Sequence, residues 1–267
     1  IPAMSLLDVR NLSAGYEEGP VLEGVSFGLE RGEFLSVLGP NGSGKSTLLK
    51  AILRLLPRVE GEVEVEGRDA ARLSPRLMAR SVAYVPQFPD AAFGFTVEEV
   101  VLMGRYAHIG RFGRVSDEEA RFLDSIMDLA GIGRLREKLV GRLSGGERQR
   151  VHIARALAQD APILLLDEPS THLDLAAQTE IYRILRRLRR EKGTAVLCAE
   201  HNINLAVPFS DRVLFLKDGR PAAQGTPRRL LTRKLVRDVF GAEVDVRRNP
   251  RTSLPEVSLI PPAEDEG

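Results

Sequence analysis

Gly39-Pro40-Asn41-Gly42-Ser43-Gly44-Lys45-Ser46-Thr47 carries the spacing Gly-x-x-x-x-Gly-Lys-Ser/Thr, and its residue types suit the holding of a polyphosphate. Gly39, Gly42 and Gly44 let the backbone curl until successive N–H groups point inward at phosphate oxygens, and the start of the following helix adds partial positive charge. Lys45 is expected to reach the β- and γ-phosphates, and Ser46 to place its hydroxyl on Mg²⁺. The motif stands between the apolar run Phe34–Leu38 and a helically spaced stretch at 48–56. That strand–loop–helix setting separates it from a glycine-rich turn that merely contains a lysine.

Ile163-Leu164-Leu165-Leu166-Asp167-Glu168-Pro169 reads as a buried parallel strand ending in two carboxylates, at the edge where open α/β sheets bind ligands. Asp167 is the expected Mg²⁺ partner of Ser46, and Glu168 is free to polarise an attacking water. Leu143-Ser144-Gly145-Gly146-Glu147-Arg148-Gln149-Arg150 opens another helix with a hydroxyl residue and two glycines, a second anion-binding nest. One γ-phosphate is not readily enclosed by two such nests of the same compact chain, so the second is expected to act on a nucleotide held by another copy. Gln87 ends a strand and reads either as a contact to the metal or γ-phosphate or as a surface glutamine. His201 follows the strand at 194–199 and is placed to hydrogen-bond a γ-phosphate. Tyr16, alone in a turn region, reads equally as an ordinary exposed aromatic or as a stacking surface for adenine.

These groups need a frame. Residues 6–10, 21–29 and 62–65 have strand patterns separated by turns, and read as antiparallel strands flanking the core. Ser74-Pro75 is the start of a short helix, and 81–85 a buried strand. From 88 to 160 the pattern turns helical. Thr96-Val97-Glu98-Glu99 and Ser116-Asp117-Glu118-Glu119 are read as capping boxes, and Gly131 stops the second helix. The Gly- and Arg-containing stretch Gly104-Arg105-Tyr106-Ala107-His108, with Gly110, Arg111 and Gly113, reads as a loop, either a partner surface or a solvated connector. Five arginines between 183 and 190 read as the solvated face of a helix rather than a nucleic-acid stripe. Residues 212–224 form a hairpin, and two short helices and a Pro-containing tail follow, with an acidic end at 264–266.

With 267 residues the chain has length for one substantial core with a satellite. A net charge of +1 gives no reason to expect nucleic acid. The single Cys198 excludes an internal disulfide framework. No apolar run approaches the ~20 residues of a membrane span, and Ile1-Pro2-Ala3 reads as an extraneous lead before Met4. A cytosolic protein is expected.

Taken together these pieces resemble the ATP-binding-cassette ATPases over essentially the whole chain. Residues 39–47 match that family's Walker A loop, 163–168 its Walker B strand, 143–150 its signature, Gln87 its Q-loop, 170–174 (ending in Asp174) its D-loop, His201 its switch histidine and Tyr16 its adenine-stacking aromatic. Glu147 stands where glutamine is commoner, and Asn202 where aspartate is frequent. The implied fold is α/β, a P-loop NTPase core with an antiparallel β subdomain (4–88 and 161–226), an inserted helical subdomain (89–160) and a short C-terminal extension (227–267). The implied activity is hydrolysis of ATP with Mg²⁺ in a head-to-tail dimer, with Ser144, Gly145, Gly146, Glu147 and Asp174 of one copy facing the nucleotide of the other. Within the family, Thr96 to Arg105, Leu143 to Arg150, Pro169 to Asp174, and Val239 to Val244 with Asn249-Pro250 resemble importer subunits for iron–siderophore complexes, haem and vitamin B12. Those work at the cytoplasmic face of the membrane with transmembrane permease subunits and, indirectly, a substrate-binding protein. A soluble cassette of iron–sulfur cluster assembly shares every nucleotide motif. In a genome-maintenance cassette a long coiled coil or a large domain separates the Walker motifs; the helical insertion here is far too short for that, and no heptads are sustained over several turns.

Overall fold

The computed structural model describes residues 5–87, 94–109 and 115–260. Phe88, the glycines and arginine at 110–113 and the acidic end at 264–266 lie outside the described residues. The strands in chain order are β1 (Leu7–Tyr16), β2 (Gly19–Leu29), β3 (Phe34–Leu38), β4 (Arg58–Val65), β5 (Arg68–Asp69), β6 (Val82–Val85), β7 (Ile163–Asp167), β8 (Ala195–Glu200), β9 (Arg212–Lys217), β10 (Arg220–Gly225), β11 (Val244–Arg248) and β12 (Pro255–Leu259). They form a six-stranded sheet of order β10-β9-β3-β8-β7-β6, a four-stranded sheet of order β2-β1-β4-β5, and the β11-β12 pair. In the first, β9, β3, β8, β7 and β6 run parallel and β10 returns antiparallel. The second is antiparallel throughout.

Continuous apolar runs make these parallel strands because both faces of the sheet are covered. Side chains alternate between the two cores: Leu164 and Leu166 of β7 with Val196 and Cys198 of β8 face one, and Ile163 and Leu165 with Ala195, Leu197 and Ala199 the other. Helix α1 (Lys45–Ile52) covers the second face; the 48–56 expectation overran it, for the helix stops at Leu53. Ser81 likewise closes helix α2 (Pro75–Ser81) rather than opening β6. Strand β1 continues past the expected residues 6–10 to Tyr16, through register shifts after Val9 and a left-handed Asn11 at φ 47°. That bulge breaks the alternation from which strands are read.

Between β6 and β7 lie α3 (Val97–Met103), α4 (Tyr106–Ile109), α5 (Asp117–Leu129) and α6 (Gly145–Ala158). Thr96 and Glu99 form a reciprocal capping box. The box expected at Ser116 is only half made. Ser116 Oγ accepts from Glu119 N, but the Glu119 carboxylate instead accepts Arg105 Nε at 2.7 Å and Nη2 at 2.9 Å. A bidentate charge-assisted pair outcompetes one neutral N–H donor. Arg105 is therefore neither solvated connector nor partner surface. It is buried, donates also to Ala158 O at 2.8 Å, and lies 4.7 Å over the Phe122 ring. Gly104 ahead of it has no room for a side chain, since a Cβ there would come within 2.1 Å of Arg155 O on α6.

Helix α7 (Leu175–Lys192) joins β7 to β8, and α8 (Ile203–Ala206) follows His201. The tail, expected as helices and coil, holds α9 (Pro227–Leu230), α10 (Arg233–Phe240) and then the β11–β12 hairpin. Asn204 of α8 holds the hairpin as a strand would, its amide donating to Val257 O and accepting from Val257 N, both at 2.8 Å.

Helix α6 buries His152, whose Nδ1 has no partner. Burial first, then Arg155 and Arg148, pushes the imidazole down from 6.5 to about 4. Between those values the unfolded chain binds the extra proton, so this contribution to stability is complete above pH 6.5 and is lost as pH falls toward 4. Urea titrations at pH 7 and pH 5 should differ by about 1–2 kcal/mol from this site. His152→Gln should flatten that difference.

Candidate functional site

The carboxyl ends of β3, β6, β7 and β8 lie side by side, with Leu38 opposite Glu200, Asp167 opposite Ala199 and Val85 opposite Leu166. Each strand therefore delivers its terminal residues to one edge. From β3 the chain enters the glycine loop, in which Gly42 and Gly44 have φ of 79° and 96°. Gly39 can carry no side chain, because a Cβ would stand 2.4 Å from Leu216 O and 2.5 Å from Ser43 Oγ. Ser43 Oγ is buried with no protein partner, an orphaned hydroxyl in the wall of the loop.

Lys45 opens α1 and is buried, its Nζ donating to Gly39 O at 3.0 Å and Pro40 O at 3.1 Å and lying 3.4 Å from Glu168 Oε1. Ser46 Oγ donates to Asp167 Oδ1 at 2.9 Å, and Tyr84 OH to Asp167 Oδ2 at 3.4 Å. Burial pushes the Asp167 carboxyl up, and the Ser46 hydrogen bond opposes it. Burial also raises the Tyr84 phenol, with Asp167 adding to the rise. One oxygen of Glu168, Oε2, receives Gln87 Nε2 at 2.9 Å, Thr171 Oγ1 at 3.1 Å and His201 Nδ1 at 3.1 Å. Glu168 itself has φ 46°. Gln87, half-buried, and His201, whose side chain stays 46% exposed, thus both meet the Glu168 carboxylate.

A cavity of about 540 Å³ is lined by Asn41, Gly42, Gly44, Lys45, Ser46 and Thr47 together with Gln87, Glu168, Thr171 and His201. Tyr16 is not among its lining residues. It is half-buried at the end of β1, paired with Gly19. Tyr84 escaped the sequence reading, since an isolated Tyr in a strand carries no spacing signal and only the register of β6 against β7 brings it to Asp167. Thr171, inside the 170–174 stretch, has no role of its own in that reading and reaches Glu168 through the turn three residues on.

Ser144, Gly145, Gly146, Glu147 and Asp174 open on a different cavity, of about 790 Å³. Ser144 Oγ accepts from Glu147 N at 3.3 Å while Glu147 Oε2 accepts from Ser144 N at 3.1 Å, a reciprocal cap that leaves the N–H groups of Gly145 and Gly146 without helical partners. The Ser144 N–H, more than any other group, holds the Glu147 carboxyl below its ordinary range. Asp174 caps α7 by accepting from Ala177 N at 2.8 Å. His172, at φ 62°, lines both cavities.

Residues 22–171 match the family described as ABC transporter. The chain is 38% identical over 252 residues to an iron(3+)-hydroxamate import ATP-binding protein of Bacillus subtilis, covering 94% of each. It superimposes with a TM-score of 0.83 and 29% identity on a chain of a metal-chelate type ABC transporter in an inward-facing conformation, covering 97% of this chain and 99% of that one. A dimeric cassette in a post-hydrolysis state with ADP and phosphate matches at TM-score 0.73 and 32% identity, covering 82% of this chain and 98% of the other. A family match over more than half of the length, a relative of like size and solved cassettes of the same fold make this chain an ATPase of the ABC transporter family.

Proposed function

We propose that this chain powers a membrane importer for a metal chelate, an iron–siderophore complex, haem or cobalamin, through a dimer in which each ATP is enclosed by two copies. The observation that carries the dimer is the separation of the two nests: the loop at 39–47 and the capped start of α6 open on different cavities of one chain. In this reading Ser144, Gly145, Gly146, Glu147 and Asp174 of one copy face the phosphates held by the loop of the other. The relative's hydroxamate cargo and the metal-chelate neighbour support the cargo class.

Within each site the N–H groups of the loop and Lys45 hold the phosphates, and the orphaned Ser43 hydroxyl has a wall position for one more contact. Ser46 and Asp167, joined by a hydrogen bond, with the Gln87 amide close by, offer hard oxygen donors of the kind Mg²⁺ takes. Among the described residues no cluster of three or more His, Cys, Asp or Glu forms a metal cage, which suits an ion that takes its remaining ligands from phosphate and water. When bound, Mg²⁺ neutralises charge on the β- and γ-phosphate oxygens. Glu168 takes the proton of the attacking water, and His201, hydrogen-bonded to it, sets its orientation. Tyr16 stacks on the adenine. The helical insertion and the stretch that follows Gln87 in the sequence pass the motion to transmembrane permease subunits, and through them to a substrate-binding protein. Nucleic acid has no part.

No described helix is long and apolar enough to cross a membrane. In this reading the subunit sits peripherally at the cytoplasmic face, held there by the permease. Affinity isolation of the chain from detergent-solubilised native membranes tests the reading. A polytopic membrane protein in fixed ratio is expected; recovery with only a soluble assembly scaffold would overturn the importer and leave the ATPase standing.

A further inference from the structure

We infer that Glu200 is a positioning residue for the hydrolytic centre, a buried clamp that closes a ring through Ser170, Glu168 and His201 and so holds Glu168 in the geometry of a general base. The inference rests on the reading of Glu168 as that base. Glu200 is the last residue of β8 and is fully buried. Its Oε1 accepts from Ser170 Oγ at 2.7 Å and from Tyr182 OH at 2.8 Å, while Oε2 is buried without a partner.

The connectivity gives the carboxyl its role. Ser170 is two residues after Glu168, and His201 is bonded directly to Glu200. His201 Nδ1 in turn reaches Glu168 Oε2 at 3.1 Å. Two short stretches of chain and two hydrogen bonds therefore close a ring, and Glu168 N braces it by donating to Ala199 O at 3.0 Å. Such bracing is needed because Glu168 is a non-glycine residue in the left-handed region, at φ 46°. That conformation persists only where its surroundings over-determine it. The second donor anchors the ring to α7. Tyr182 is fully buried, its ring stacked on Phe209 at 4.4 Å between centroids, and Gln178 of the same helix donates to Ser170 O at 3.2 Å. Asp174 caps helix α7 and lines the cavity of the second nest. The clamp thus joins the surface facing a second copy to the hydrolytic carboxylate of the first.

A carboxyl with two neutral donors and no cation is an expensive side chain to bury. Burial pushes it up, with Ser170 and Tyr182 opposing. A packing role alone would be served by leucine, whereas the ring needs an acceptor. Glu200→Gln, which keeps a carbonyl oxygen for both hydroxyls, should therefore hold kcat within about twofold, and Glu200→Leu should lower kcat about tenfold or more with KM for ATP little changed. Ser170→Ala should reproduce the loss. These rates are measured on the full-length protein well below its melting temperature, with circular dichroism to establish that the variants are folded. Should Glu200→Leu fail to fold, Ser170→Ala and the Gln variant carry the test.

A double-mutant cycle separates the failure of this inference from failure of the base assignment. In the Glu168→Gln background, with residual single-turnover hydrolysis as the readout, adding Glu200→Leu should cost almost nothing further. Additive losses, or a Glu200→Leu enzyme with parental kcat, would overturn the clamp while leaving Glu168 as base. A Glu168→Gln enzyme with parental turnover overturns both.

Discussion

Glu168→Gln should abolish most turnover while leaving ATP bound as tightly as before or tighter. The amide cannot take a proton from water, and loss of general-base assistance lowers kcat by about 10²-fold or more. Binding is spared for a local reason. Glu168 Oε1 lies 3.4 Å from Lys45 Nζ, with both side chains buried, so the carboxylate competes with phosphate for the same ammonium. A neutral amide releases the lysine, while its oxygen can still accept from Gln87, Thr171 or His201. Steady-state phosphate release with titration of a fluorescent nucleotide checks both halves. Near-parental turnover would remove Glu168 from the role of base.

Lys45→Ala should act on the other quantity. The buried ammonium is satisfied by Gly39 O, Pro40 O and Glu168, all of which an incoming phosphate would replace or rearrange. Truncation removes the charged donor and leaves the Glu168 charge facing the loop without its cation. Hydrogen bonds to charged groups are worth about 1.5–3 kcal/mol, which corresponds to a loss of about 10- to 150-fold in ATP affinity. Calorimetric titration with ATP and Mg²⁺ measures it. An unchanged dissociation constant would sink the assignment of the loop to phosphate.

How much of this was legible in the chain follows from what each feature depends on. The loop at 39–47 is written in local backbone demands: Gly39 must lack a Cβ, and Gly42 and Gly44 must take positive φ. The core strands could be read because burial on both faces leaves only apolar residues. The β11–β12 hairpin could not, because its alternation is masked by Arg247, Arg248 and Asn249-Pro250, and its placement depends on the distant Asn204 amide. Arg105 does lie in the turn between α3 and α4, but the helix that follows it and its burial were hidden, the latter because its partner, Glu119, was already assigned to a cap. Glu200 gave no signal, since a carboxylate beside a histidine is ordinary until Ser170 and Tyr182 arrive from elsewhere in the fold.

Cys198 is the chain's single cysteine and is fully buried, its thiol pushed up first by burial and then by Glu200. Thiol reagents act on thiolates they can reach, so the folded protein should be silent to maleimide chemistry. A cysteine introduced at Leu175, which is 82% exposed beside Asp174, would be the sole attachment point for a spin label or fluorophore. Paired labels of that kind would report the separation of two copies directly, so the proposed dimer can be tested in solution on an otherwise unaltered background.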